Sequence, residues 1–128
     1  MKRILSLLLC VIVFVCPLSS CTDDTVVPSP IGTYIYEGEG FGGDFCIEVY
    51  ENGTFFYSVG YFSSYIGRGN WSMDGDVLCL KDHEYPSMKY VNYFKVKEDK
   101  LIFIKKHSTN FMYLKVSNGE EFNKTTSD

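Results

Sequence analysis

Alternation of apolar and polar residues constrains this chain more than any other feature of its sequence. From Ile31 onward, apolar residues mostly recur at every second position, in short runs that turn residues separate. A period of two is typical of β-strands that bury one face, and no longer window shows the 3.6-residue period of an amphipathic helix. The pattern predicts strands at residues 33–37, 45–50, 55–59, 69–73, 77–82, 90–97, 101–106 and 111–116.

The connections between the predicted strands are mostly of hairpin length. Asn52-Gly53, Asp74-Gly75-Asp76 and Glu98-Asp99 are turn sequences, and Asn-Gly tolerates the positive φ angles of tight hairpins. We therefore expect an all-β fold, a small up-and-down antiparallel barrel or a strongly curled meander of about eight strands, lipocalin-like in character. An immunoglobulin-type sandwich is the alternative. A barrel of about eight strands encloses either a packed interior or one small ligand.

The N-terminus has the composition of a secretory signal. Met1-Lys2-Arg3 is positively charged, and residues 4–16 form a 13-residue apolar run that only Ser6 interrupts. As a helix this run is about 20 Å long, which is too short for a hydrocarbon core of about 30 Å. It predicts a signal helix that is removed on export, and no later run reaches membrane length.

Leu18-Ser19-Ser20-Cys21 resembles the bacterial lipobox. Small residues let the chain enter a peptidase cleft, and the Cys21 thiol can then be acylated. We expect residues 1–20 to be a lipoprotein signal peptide and Cys21 to carry acyl chains such as palmitate, which anchor a protein stably when several are present. The protein would then be lipid-anchored at the cell envelope, on the extracytoplasmic side of a bacterial membrane. The expected units are the signal peptide (1–20), lipidated cysteine and tether (21–30), β-barrel-like domain (31–122) and disordered tail (123–128).

Two cysteines remain in the expected β domain. Cys46 and Cys79 lie at outward-facing positions of strands that are not neighbours in the sequence. In an exported protein they are a candidate disulfide, and two free, partly buried thiols are the alternative. Neither has a histidine at metal-ligand spacing, so the sequence supports no zinc site.

A search for catalytic and cofactor motifs finds no supported site in the sequence. His83 lies in a polar turn, and residues 107–110 form one loop whose hydroxyls and amide are expected to bond the local backbone. The formal net charge of −4, which becomes −6 when Lys2 and Arg3 are removed with the signal peptide, gives no electrostatic footprint for nucleic acid. We expect no enzyme activity, metal, cofactor or nucleic-acid partner.

Aromatic residues are unusually frequent in the expected mature chain. One tryptophan, ten tyrosines and nine phenylalanines account for 20 of its 108 residues. Tyrosine and tryptophan supply rigid amphipathic contact area, which is typical of binding sites. The residues expected to form a ligand rim at the barrel mouth are Phe41, Tyr61, Phe62, Tyr65 and Trp71. The alternative is that large rings fill the interior and that outward tyrosines reflect β propensity.

Three segments of the chain resemble segments of a known protein family. They are residues 63–71 (SSYIGRGNW), residues 76–80 (DVLCL) and residues 108–122, which follow the pattern SxNFxYxxVxxGxxF. They resemble segments of a family of small lipoproteins of gut Firmicutes, and of a domain that follows the peptidase part of some BlaR/MecR-type membrane proteins. The resemblance implies an extracytoplasmic, lipocalin-like β module and assigns no catalytic residue. Gly67 and Gly69 are expected to permit a sharp bend in their strand.

These features together predict a binding or sensing module at the cell envelope, with an unidentified ligand at the barrel mouth. Its expected partners are the membrane, through the N-terminal lipid, and an envelope ligand or protein. The alternative is a structural or interaction protein, such as a partner or inhibitor, with a filled barrel and no small-molecule ligand.

Overall fold

The fold is a closed barrel of antiparallel strands. The computed structural model describes residues 26–37, 44–59, 66–84, 87, 89–111 and 114–126. Its strands are β1 (Gly32–Tyr36), β2 (Phe45–Val49), β3 (Thr54–Val59), β4 (Ile66–Asp74), β5 (Val77–Asp82), β6 (Val91–Lys97), β7 (Lys100–Ile104) and β8 (Glu121–Lys124). Each strand pairs with the next, and β8 pairs with β1. The expected all-β, up-and-down barrel is confirmed, and the expected signal helix lies outside the described residues.

Period-two alternation decides which side chains enter the barrel. On β2, Phe45, Ile47 and Val49 are buried, whereas Cys46 and Glu48 between them are partly exposed. Phe55 and Tyr57 on β3, Leu78 and Leu80 on β5, and Phe94 and Val96 on β6 are buried in the same way. The strand residues that are no more than 2% exposed are Tyr34, Phe45, Ile47, Val49, Phe55, Tyr57, Leu78, Leu80, Asn92, Phe94, Val96, Leu101, Phe103 and Phe122.

The two ends of the barrel differ in the length of their connections. At the hairpin end, short turns join β2 to β3, β4 to β5 and β6 to β7. Gly53 and Gly75 in these turns have φ angles of 84° and 59°, which residues with a side chain rarely adopt. The opposite end, the loop end, carries the longer β1–β2, β3–β4, β5–β6 and β7–β8 connections.

The strand predicted at residues 111–116 is wrong. Within the described part of this segment, Phe111 and Leu114 form only an isolated bridge. The last strand is β8, which closes the barrel by pairing with both β7 and β1. Its sequence, EFNK, contains a single apolar residue, so its period of two cannot be recognised in isolation. β8 also continues to Lys124, beyond residue 122 where the domain was expected to end.

The chain enters the barrel at the hairpin end. Pro30 is buried, and the Tyr34 hydroxyl donates a hydrogen bond of 3.0 Å to its carbonyl oxygen. Pro28 lies beside the β6–β7 hairpin. The last residues of the expected tether therefore pack against the barrel instead of extending from it. Within the described ranges, no helix has the length and hydropathy of a membrane span.

Candidate functional site

Aromatic rings fill the middle of the barrel. Phe111, from the β7–β8 connection, inserts among Phe45, Phe103 and Phe122, and its ring centroid lies 4.8, 6.0 and 6.3 Å from theirs. Phe94 packs edge-on against Phe122 at 5.2 Å. Tilted and edge-to-face pairs of this kind are favoured by the charge distribution of the rings. A ligand site inside this barrel must therefore lie toward one of its ends.

Polar side chains enter the barrel at the loop end. Asp82, the last residue of β5, is 8% exposed, and Asn92, near the start of β6, is 2% exposed. Asn92 lies opposite Leu80, and Asp82 lies two residues beyond Leu80 on the same face. Residues in this diagonal relation are separated by about 7 Å. The two strands therefore bring a carboxylate and an amide together inside the barrel.

The third polar group comes from β3. Tyr57 is buried, and its hydroxyl donates a hydrogen bond to Asp82 Oδ2, across the intervening strand β4. Gly67 of β4 lies opposite Tyr57, and a Cβ there would lie only 1.9 Å from the Tyr57 ring. The absence of a side chain at Gly67 therefore lets the tyrosine ring lie across β4 and reach Asp82. The backbone N–H of Glu84 donates to the other carboxylate oxygen at 2.7 Å.

Two buried acceptors in the described part of the chain have no partner. Asn92 Oδ1 and Asn110 Oδ1 are both buried and form no hydrogen bond. Asn110 is brought to β6 because the backbone N–H of Thr109 donates to the Val91 carbonyl oxygen at 2.9 Å. An unsatisfied buried polar group costs about 1–3 kcal/mol, so such groups call for an explanation such as a bound molecule. We call Tyr57, Asp82 and Asn92, which share the inner face at this end of the barrel, the mouth cluster.

The opposite wall of the loop end is aromatic. Tyr36 stacks on Phe122 with ring centroids 4.8 Å apart, and its hydroxyl donates to Glu120 Oε1 at 3.0 Å. Phe45 and Phe111 lie between this stack and the mouth cluster, since Phe111 packs edge-on against Tyr57 at 5.5 Å. These rings are buried, and Tyr36 is the partly exposed member of the group.

Trp71 is the one expected rim residue that the structure describes, and it does not lie in this site. Trp71 is half-buried near the hairpin end, where its indole N–H donates to the Tyr50 carbonyl oxygen at 2.8 Å. It therefore closes the other end of the barrel. The other four expected rim residues, Phe41, Tyr61, Phe62 and Tyr65, and the lipidation residue Cys21 lie outside the described residues.

Sequence reasoning missed the mouth cluster, although a signal for it was present. Asp82 continues the inward parity of Leu78 and Leu80, and Asn92 has the inward parity of Phe94. A polar residue at a core position of a strand is uncommon and marks a site or a buried network. The role of Gly67 could not be predicted from its position in the sequence, because Tyr57 contacts it only after the strands pair.

Cys46 and Cys79 are free thiols and do not form the candidate disulfide. They lie on β2 and β5, which are three strand spacings apart in the barrel, or about 14 Å. A disulfide requires Cα atoms within about 7 Å. Burial, and then the nearby Glu48 carboxylate, raise the pKa of the Cys46 thiol, which makes it a poorer nucleophile at neutral pH.

A second concave surface lies on the outer wall of the barrel. It is a groove of about 520 Å³ whose lining residues are Glu48, Tyr50, Thr54, Phe55, Phe56, Arg68, Gly69 and His83. Its polar groups are already paired. Arg68 forms a 2.7 Å ion pair with Glu84, and His83 Nε2 lies 2.7 Å from Asn70 Oδ1. The hydrogen bond from the Tyr50 hydroxyl to Glu48 is the main cause that raises the pKa of Tyr50 to about 12.

Comparisons with known proteins add no assignment to either surface. No protein family, curated protein or solved structure matches the chain. The resemblance to small lipoproteins of gut Firmicutes therefore stays a prediction. Function has to be inferred from the geometry of the two surfaces, and the mouth cluster is the one with unpaired groups.

Proposed function

We propose that this protein is a lipid-anchored, extracytoplasmic binding module that takes a small ligand at the loop end of its barrel. The observation that carries the proposal is the buried, unpaired Oδ1 of Asn92, beside the carboxylate of Asp82. A buried amide without a partner destabilises the free protein, and a ligand that donates a hydrogen bond to it removes that cost. The partly exposed ring of Tyr36, which stacks on Phe122, supplies apolar contact area for the rest of the ligand.

The alternative function, an interaction protein without a small-molecule ligand, is supported by a different observation. The rings around Phe111 fill the middle of the barrel, so a deep cavity of the lipocalin kind has no room there. In that case the outer groove around Phe56 and Arg68 would contact a protein partner. Ligand screening separates the two functions, because only the first predicts stabilisation by a small molecule.

Replacing Asn92 with leucine tests the proposed site. Asn92→Leu removes the unpaired amide and should raise the free energy of unfolding by about 1 kcal/mol, or the melting temperature by about 5 °C. Thermal unfolding of the full-length protein in dodecylmaltoside, followed by circular dichroism, measures the shift. Asn123→Leu on the outer face of β8 is the matched control, with no expected gain. A loss of stability in Asn92→Leu would mean that the amide serves the fold and not a ligand.

The same two variants test ligand binding directly. Small amines, alcohols, carboxylic acids, sugars and peptides are screened for stabilisation of the wild-type protein. At least one class should raise its melting temperature, and the Asn92→Leu protein should lose that response while Asn123→Leu keeps it. If no class stabilises the wild-type protein, the interaction function replaces the binding function.

The anchor is tested separately at Cys21. Replacing Cys21 with serine should abolish incorporation of labelled palmitate and release the protein from the membrane fraction, because the serine hydroxyl does not form the thioether that carries the lipid. Cys46→Ser, which leaves the lipobox intact, should be labelled like the wild type. Membrane attachment of the Cys21→Ser protein would contradict the proposed localisation.

A further inference from the structure

We infer that the hairpin end of the barrel lies on the lipid surface, with Val26 and Val27 in contact with the lipid, and that the loop end faces away from the membrane. This orientation rests on the lipid anchor proposed at Cys21 and adds an interaction surface of the folded domain itself. Three properties of the molecule point to it: the place where the chain enters the barrel, the short distance from there to the anchor, and the position of the exposed apolar side chains.

Residues 26–28 lie at the hairpin end of the barrel. Val26 and Pro28 line a groove of about 550 Å³ together with residues 97–100 of the β6–β7 hairpin. They also line a groove of about 430 Å³ together with Gly75 and Asp76 of the β4–β5 turn. Because Pro30 is buried next in the chain, this end is the part of the folded domain that follows the proposed anchor directly.

The segment between the anchor and the barrel is too short to let the loop end reach the lipid. Cys21 and Val26 are five positions apart, so their Cα atoms are at most about 18 Å apart. The nine-residue strand β4 runs from the loop end to the hairpin end, and a strand of that length spans about 23 Å along the axis of a barrel. If the loop end lay on the lipid, Val26 would therefore lie farther from the membrane than this segment can extend.

The exposed apolar side chains lie at the same end of the barrel. Among the residues that the structure describes, the large hydrophobic side chains with high exposure are Val26, Val27 and Tyr50, at 87%, 58% and 43%. The two valines lie beside the β4–β5 turn and β6, and Tyr50 lies in the β2–β3 turn. Contact with lipid removes apolar surface from water, and tyrosine rings are typical of the boundary between membrane and water.

The hairpin end carries paired charges of both signs. Lys95 pairs with Asp76 at 3.5 Å, and Lys100 pairs with Glu121 at 3.0 Å. Attraction to an anionic membrane requires a cluster of basic residues, which differs from this mixed surface. Apolar contact therefore suits a zwitterionic lipid surface, for which phosphatidylcholine is the probe.

Tryptophan fluorescence at each end of the barrel tests this orientation. Lys97→Trp at the hairpin end and Lys106→Trp at the loop end make the same chemical change at two exposed lysines. Each protein is expressed from the full-length sequence, so that the anchor is added, and is attached to phosphatidylcholine vesicles with or without a nitroxide quencher on the headgroup. The emission of Trp71 in the wild-type protein is subtracted.

The added emission of Lys97→Trp should be quenched at least about twofold more strongly than that of Lys106→Trp, because about the length of β7, roughly 17 Å, separates the two positions. A nitroxide quenches only at short range. Equal quenching of the two proteins, or stronger quenching of Lys106→Trp, would overturn the orientation and leave the lipid anchor intact. If the wild-type protein is not recovered with the vesicles, the proposed anchor fails together with the inference.

Val26→Glu, introduced into the Lys97→Trp protein, tests the apolar contact. It places a carboxylate against the lipid, so the quenching should fall toward that of Lys106→Trp, while the acyl chains keep the protein in the vesicle fraction. Ser87→Glu, at an exposed position of the β5–β6 connection, is the matched control and should leave the quenching unchanged. Unchanged quenching after Val26→Glu would overturn the contact of this segment with lipid.

Discussion

Replacing Gly69 with alanine is expected to lower the free energy of unfolding by about 3 kcal/mol or more. A Cβ at this position would lie 1.8 Å from the Lys81 carbonyl oxygen, and that atom belongs to the backbone of the neighbouring strand β5. A backbone atom cannot rotate away as a side chain can. The substitution must therefore push β4 away from β5 or break their pairing, and urea denaturation followed by far-UV circular dichroism measures the loss.

Gly53→Ala is the matched control for this prediction. Gly53 has a φ of 84°, but a Cβ there meets no atom within 4 Å. Its expected cost is only the left-handed backbone conformation, about 1–2 kcal/mol. Equal losses in the two variants would contradict the close approach of β4 and β5, since Gly69→Ala would then cost no more than a substitution that meets no neighbouring atom.

Replacing Phe111 with alanine is expected to lower the free energy of unfolding by about 3–5 kcal/mol, although this residue belongs to no strand. Its ring contacts those of Phe45, Tyr57, Phe94, Phe103 and Phe122, which come from five different strands. Removing it leaves a cavity at the centre of the barrel. The melting temperature should fall by about 12 °C or more in a domain of this size.

Phe56→Ala is the control for the loss of a ring from the barrel. Phe56 lies between the buried residues Phe55 and Tyr57 on β3, faces outward and lines the outer groove. Its loss should cost about 1 kcal/mol, and Phe111→Leu should recover most of the stability that Phe111→Ala loses. A smaller effect of Phe111→Ala than of Phe56→Ala would mean that the β7–β8 connection does not fill the barrel.

The strands predicted best are those with several apolar residues on one face. β2, β5 and β6 have two or three inward apolar residues each, so the period of two was visible and these strands were predicted to within one residue at each end. β8 has only Phe122, and the run that begins at Phe111 imitates a strand because apolar residues alternate there. The sheet has to close between β7 and β1, and this non-local requirement selects β8 over the more regular run.

The candidate site also contains some features that the sequence could predict and others that it could not. The inward parity of Asp82 and Asn92 follows from their own strands and could have been predicted. The hydrogen bond between Tyr57 and Asp82 could not, because it joins β3 to β5 and depends on the missing side chain of Gly67 on the strand between them. The expected rim residue Trp71 illustrates the converse error, since its aromatic character suggested a rim without indicating which end of the barrel it occupies.

Local sequence patterns establish that this chain forms antiparallel strands joined by hairpins, because alternation and turn preference act over two to six neighbouring residues. That β8 closes the barrel, that Phe111 fills it and that Tyr57, Asp82 and Asn92 share its loop end follow only from the tertiary fold. These features depend on strand register and on side chains that share a confined volume. Both are set only when all the strands pair at once.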